Sequence, residues 1–201
     1  MTTGLHEGSF ENMQLGPGMF LVNFDPDKAS NADELFALII AALEGERGSI
    51  GATHGGGSFK CVPKLRSLEA DGLRGPTRGA MVNDGWTVKL TGTMLEITPE
   101  NYGWVLMSPT ITREASMTTV EVRTDLADED YLERLCWVGE TGSGYVLIEL
   151  SNVLNVAGAG FTFVDRGEGL LRFEFQAHQT LRDNDKAPCR IIFFDRKEEA
   201  K

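Results

Sequence analysis

His54-Gly55-Gly56-Gly57 is the run most suggestive of chemistry, because a His-Gly-Gly-Gly segment lines the oxyanion hole of some α/β-hydrolases. That chemistry also needs a serine in a G-x-S-x-G elbow, and the spacing occurs nowhere in the chain. A phosphate-cradling loop would need G-x-x-x-x-G-K-[ST] between a strand and a helix, whereas these glycines follow a helical segment and precede an extended one. A tight turn is the expected role. The 3 histidines, His6, His54 and His178, are scattered, and no Cys or His pair has the spacing of a zinc site. Asp125, Asp128, Glu129, Asp130 and Glu133 lack the alternation and glycine of a calcium loop and read as a solvated helix start. Trp86, Trp104 and Trp137 read as core or interface anchors rather than as a sugar platform. No enzyme, metal or cofactor site is expected.

The balance of 30 acidic against 19 basic residues, a formal charge of −11, disfavours general binding to nucleic acid or anionic membranes. The N-terminal MTTGLHEGSFENMQLG has no basic start followed by an apolar core, so no signal peptide is expected. The longest apolar run, Leu35 to Leu43, is about half of what a membrane crossing requires. Cys61, Cys136 and Cys189 are odd in number and far apart, which argues for reduced thiols in a cytoplasm rather than a disulfide framework.

MQLGPGMFLVNFD predicts a turn and a short strand. NADELFALIIAALEGERG predicts a helix capped by Asn31, with Glu34 three residues on, and ended by Gly45 and Gly48; its apolar residues leave little polar face, so sheet should largely cover it. Phe59, Cys61, Pro63 and Leu65 alternate with Lys60, Val62, Lys64 and Arg66, and Trp86 to Met94 alternates more cleanly. Pro63 points to an edge or a bulge. ITPENYGWVLMSP predicts a short helix capped by Thr98, with Pro99 at its first position, and Ile111 to Val122 reads as extended. DLADEDYLERLCWVG reads as a short helix with an acidic start. YVLIEL, GFTFVD with EGLLRFEFQAH around an Asp165-Arg166-Gly167 turn, and PCRIIFFD read as strands. The expectation is a single α+β, mainly β domain over 1–201: roughly six to eight strands and two or three short helices, as a β-sandwich or open barrel with a flanking helix. Flexible tails are expected at about 1–12 and about 196–201.

Two strands of about a dozen residues, each roughly 40 Å long, overreach the core of one 22.0 kDa domain. Their edges are hazardous alone and make sense if neighbouring copies pair with them and close a larger barrel.

In LGPGMFLVNFD, IGATHGGGSFKCVPKLRSLEADGLRGPTRGA, LEITPEN, DEDYLERLCWVGETGSGYVLIEL and APCRIIFF, taken in that order along most of its length, the chain resembles the tail tube (major tail) proteins of long-tailed bacteriophages and phage-tail-like particles. The resemblance implies a β-sandwich with a flanking helix, and homohexameric rings whose long hairpins complete one barrel. Rings stack into a tube that holds the tape-measure protein and passes DNA without sequence preference. It further implies a tail terminator and baseplate or tail-tip proteins as partners, a virion location after synthesis in the host cytoplasm, and no membrane. Family lumens are acidic, whereas Lys60, Lys64 and Arg66 with Lys89 make one face here basic. That face meets a neighbouring subunit, the register breaks at Pro63, or these are not all lumen strands. The expected subunit and ring contacts are Lys60, Lys64, Arg66, Arg74, Gly75, Pro76 and Arg78 on the hairpin and its loop, and Asp128, Glu129 and Asp130 in the acidic block. The competing expectation is a β-sandwich module that binds carbohydrate or a host factor through clustered tryptophans.

Overall fold

The computed structural model describes residues 4–6, 8–14, 16–45 and 48–196. In chain order the elements are β1 (Met19–Val22), α1 (Ala32–Glu44), β2 (Thr53–Ser67), β3 (Met81–Met94), α2 (Pro99–Val105), β4 (Pro109–Glu114), β5 (Met117–Val122), β6 (Leu132–Thr141), β7 (Gly144–Asn155), β8 (Gly160–Thr162), β9 (Leu170–Ala177) and β10 (Cys189–Asp195). The chain is mainly β, with 46% of residues in strands against 14% in helices, and its sheets are antiparallel. Of the expected tails, residues 1–3, 7 and 197–201 lie outside the described residues. Glu11 lies against the β6–β7 turn, its carbonyl accepting from Ser143 N–H at 3.2 Å.

The caps explain where the helices begin. The Asn31 carboxamide accepts from the backbone of Asp33 and Glu34, and Glu34 accepts in return from Ser30 N–H at 2.8 Å. Thr98 does the same for Asn101, ahead of Pro99. Each bond satisfies an N–H that helical geometry leaves without a partner.

One eight-stranded sheet runs β1-β6-β7-β9-β3-β2, with β10 paired to β7 and β8 paired to β9 off that path, and it bends at β7. Gly144 to Leu150 of that strand pairs with β10, while Val153 to Asn155 pairs with β9. Asn152, at φ 49°, stands between the two stretches in the left-handed region that asparagine tolerates. The bend folds the sheet over, so that Phe20 of β1 meets Phe173 of β9 edge-to-face at 5.2 Å although their strands are not neighbours. Phe20, Leu90, Leu135, Leu150, Leu171 and Phe175 fill the space between the two halves. A second core, with Leu21, Leu35, Ile39, Cys136, Val138 and Leu147, lies between α1 and the outer face of β1, β6 and β7. Among the described residues the sheet does not close; β1 and β2 end its path.

Four expectations change. The first is the strand count: ten strands among the described residues stand against the expected six to eight, because Ile111 to Val122 divides between β4 and β5 and a strand replaces the expected third helix. Leu132 to Val138 is strand β6, preceded by a short 3-10 turn at Asp128–Asp130, not the body of a helix. Leu135 faces the inner core and Cys136 the helix-side core, so both faces are apolar and the run loses the alternation that marks a half-exposed strand. Helix α1 is covered on one side only: Ala32, Leu35 and Ile39 are buried, while Phe36, Ile40 and Leu43 stay exposed. The glycine run is not a turn before a strand but a bulge inside β2. Gly55 and Gly56, both at φ 72°, fall between the pairs Thr53↔Met94 and Gly57↔Gly92, so four steps on β2 answer two on β3. Glycine takes that backbone with no Cβ penalty.

Candidate assembly surface

The hairpin of β2 and β3 is longer than anything that supports it. β3 pairs with β9 only from Lys89 to Met94, so the part from Met81 to Val88, with its β2 partners Cys61 to Ser67, projects as a two-stranded arm. Among the described residues of β2 none is buried, and its far edge pairs with no strand. Val62, Leu65, Met81 and Trp86 leave large apolar surfaces exposed along the arm; Leu65, at 56%, shows more than half of its surface. A bare strand edge beside exposed apolar side chains offers another chain both a backbone to pair with and apolar area to bury.

The register settles which side chains share a face. Pro63 opposes Trp86 and Leu65 opposes Asn83, so β3 gains one residue at the bulge and β2 gains none. The irregularity beside Pro63 therefore leaves Lys60, Lys64 and Arg66 on the same side. On that side Lys60 stands opposite Lys89, and Lys89 donates to Glu174 of β9 at 2.5 Å. Arg66 makes a two-pronged pair with Asp84 at 2.8 and 3.1 Å. The Arg66 hydrogen bond holds the Asp84 carboxyl below its ordinary range, with a smaller contribution from Lys64. Ser58 and Thr91 share a hydroxyl bond of 2.8 Å, and Val62 and Val82, the latter directly across from Arg66, are apolar side chains within this polar stripe.

At the end of the arm, Leu68 N–H donates to the Ala80 carbonyl at 2.7 Å and closes a loop carrying Arg74, Gly75, Pro76 and Arg78. All four residues are exposed, and Leu68 and Leu73 add exposed apolar surface beside them. Among the described residues, Lys60, Lys64, Arg74 and Arg78 form no ion pair within the chain.

The acidic block divides. Asp128 and Glu129 are exposed and unpaired among the described residues. Asp130 turns inward: its side chain is 4% exposed, pairs with Arg123 at 2.5 Å and caps Ala127 N–H at 2.7 Å. Its carboxylate is occupied inside the subunit and is not available as a contact. Among the described residues, no ion pair joins the basic loop to the acidic block.

A cleft of about 660 Å³ lies beside α2 and β4, lined by Trp104, Ile111, Arg113 and Arg123 among others. Both arginines are already paired, with Glu100 and Asp130, and no histidine, cysteine, serine or lysine lines the cleft. Thr110 supplies a hydroxyl to its lining, and the carboxylates of Glu100 and Asp130 are held by those two arginines. Among the described residues, no group of three or more His, Cys, Asp or Glu side chains is placed to hold a metal, and no helix is long and apolar enough to cross a membrane. The tryptophans do not form a platform: Trp104 and Trp137 pack against the inner core, Trp137 donating to the Pro17 carbonyl at 3.2 Å, while Trp86 stands on the arm.

The chain matches no protein-family model and no curated protein.

Proposed function

We propose that this chain is a structural subunit that assembles with copies of itself, and that the assembly is the tube of a phage tail or phage-tail-like particle. The observation that carries the reading is β2, a strand of 15 residues with no buried side chain among those described, an open edge and an arm that reaches past its own sheet. A neighbouring copy that pairs with that edge satisfies its backbone donors and acceptors and covers Val62 and Leu65. In the closed assembly the fold is that of a sandwich with one flanking helix, and the face bearing Lys60, Lys89 and Glu174 turns toward the lumen or a neighbour. Rings are hexameric and stack through the Arg74 to Arg78 loop. Tape-measure, terminator and tail-tip proteins are the other partners, and DNA passes without sequence recognition. The scattered tryptophans speak against the sugar-binding alternative.

Negative-stain microscopy and light scattering of the purified chain at rising concentration test this. Rings or tubes are expected. A species that stays monomeric at the highest concentration refutes it.

A further inference from the structure

Cys61 and Cys189 sit on strands that never pair. β2 ends one half of the folded sheet, and β10 flanks the other through β7. The bend at β7 nevertheless brings their sulfurs to 3.8 Å, with the Cys189 thiol directed at Cys61. Both are half-buried against the inner core. Cys136 differs: it is fully buried on the helix side, where its thiol donates to the Phe24 carbonyl at 3.7 Å.

We propose that Cys61 and Cys189 are a two-thiol modification site, which a small disulfide oxidant such as oxidised glutathione converts into an intrachain disulfide fastening the hairpin layer to β10. One cysteine thiolate attacks a sulfur of the oxidant, forming a mixed disulfide and expelling one glutathione thiolate. The second cysteine gives its proton to solvent, attacks the protein sulfur of the mixed disulfide and releases the other glutathione. Two protein thiols are oxidised, and one glutathione disulfide is reduced to two thiols. The sulfurs must close to about 2.05 Å, which side-chain rotation and a small shift of β2, an edge strand, supply. Burial, and then the neighbouring Cys61 sulfur, push the Cys189 thiol up to about 12, so the exchange is slow at neutral pH and quickens as pH rises.

The link would join residues 128 positions apart and so constrain most of the unfolded chain. It anchors the root of the arm and leaves the tip free. The chemistry needs only one folded subunit; its timing, after release from a reducing cytoplasm into an oxidising medium, rests on the tube reading.

The test incubates the folded full chain with oxidised glutathione at pH about 8.5 and alkylates it in denaturant. Expected are a mass lower by two hydrogens, a single alkylated thiol at Cys136 and a cross-linked peptide containing Cys61 and Cys189. The melting midpoint should rise by about 5–15 °C and fall back on reduction. Cys136→Ser should form the same link with no thiol left to alkylate; Cys61→Ser and Cys189→Ser, checked for native circular dichroism, should form no intrachain link. Stable glutathione adducts on both cysteines, three free thiols after prolonged oxidation, or a disulfide between chains overturns the proposal. None of those outcomes touches the tube reading, whereas a cross-linked chain that never assembles would sink that reading and leave this one standing.

Discussion

Replacing Arg190 with methionine tests what fastens β10 to its layer. Arg190 stands directly across from Glu149 of β7, whose residue surface is 4% exposed. Its Nε and Nη2 donate to one carboxylate oxygen at 2.9 and 2.7 Å, and Nη2 also donates to Asp27 at 2.8 Å. Without Arg190 the Glu149 carboxylate keeps only Arg134, whose Nε lies 3.8 Å away. Breaking a buried pair from one side costs about 3–5 kcal/mol, because it strands a charge. Two features lower that figure: Arg134 remains nearby, and the Arg190 side chain is 43% exposed, so solvent already screens it. The expected loss is about 2–3 kcal/mol, or about 5–10 °C in melting midpoint for a chain of this size. Urea unfolding followed by circular dichroism reads it directly. Glu149→Leu combined with Arg190→Met should recover at least about 1 kcal/mol, since no charge is then stranded. The Arg190 hydrogen bond also holds the Asp27 carboxyl below its ordinary value of 3.8. A depressed carboxyl contributes stability above its unfolded value and loses it as pH falls through the folded one. The gap between wild type and Arg190→Met should therefore narrow as pH drops below 3.8. A single mutant costing under about 0.5 kcal/mol, or a double mutant as unstable as the sum of its parts, would refute the reasoning.

Reversing Arg74 and Arg78 to Glu should leave the circular dichroism spectrum unchanged and reduce tube length or yield. Adding Asp128→Lys and Glu129→Lys should restore part of the loss, and normal tubes from the Arg74/Arg78 reversal would exclude this loop as an assembly contact. Gly92→Ala places a Cβ 2.4 Å from the Phe173 ring, and the overpacking should cost about 1–3 kcal/mol in urea unfolding; an unshifted midpoint contradicts that packing. Gly55→Ala and Gly56→Ala meet no atom within 4 Å but keep φ at 72°. Each should cost about 1 kcal/mol from backbone conformation alone, and a stabilising substitution would mean that the bulge is absent in solution.

The long hairpin was legible because its strands have one covered face at the root, which keeps the alternation of Trp86, Val88, Leu90 and Met94 clean. Capping made both helix starts legible: Asn31 and Thr98 satisfy N–H groups locally, with no help from tertiary structure. Leu132 to Val138 was not legible, because a strand packed on both faces carries no period. Nor was the bare stripe of Phe36, Ile40 and Leu43, since an all-round apolar helix looks the same whether sheet covers one side or two. At the candidate assembly surface, the exposure and the turn of the Arg74 to Arg78 loop were readable from turn chemistry and charge, while its role as a contact is a proposal. The inward turn of Asp130 was not, because it depends on where Arg123 lands at the end of β5. The exposure of Leu65 and Met81 follows from β9 stopping short of the arm, a fact of pairing rather than of local sequence. The nearness of Cys61 and Cys189 depends on the bend at Asn152, which is distant from both in sequence though it lies beside Cys189 in the fold.

The pairing of β3 with β9 also sets a clock. Met94 leaves the ribosome 76 residues before Leu170, the first residue of its partner strand. At about 5–20 residues per second the hairpin waits about 4–15 s for β9. The turn at its end is local, so β2 and β3 join within microseconds and then present Phe59, Val88 and Leu90 to water with no layer to cover them. Nascent chains on one polysome hold identical hairpins at close quarters throughout that interval. Slow codons over residues 95–169 should lengthen that interval and lower the yield of soluble chain.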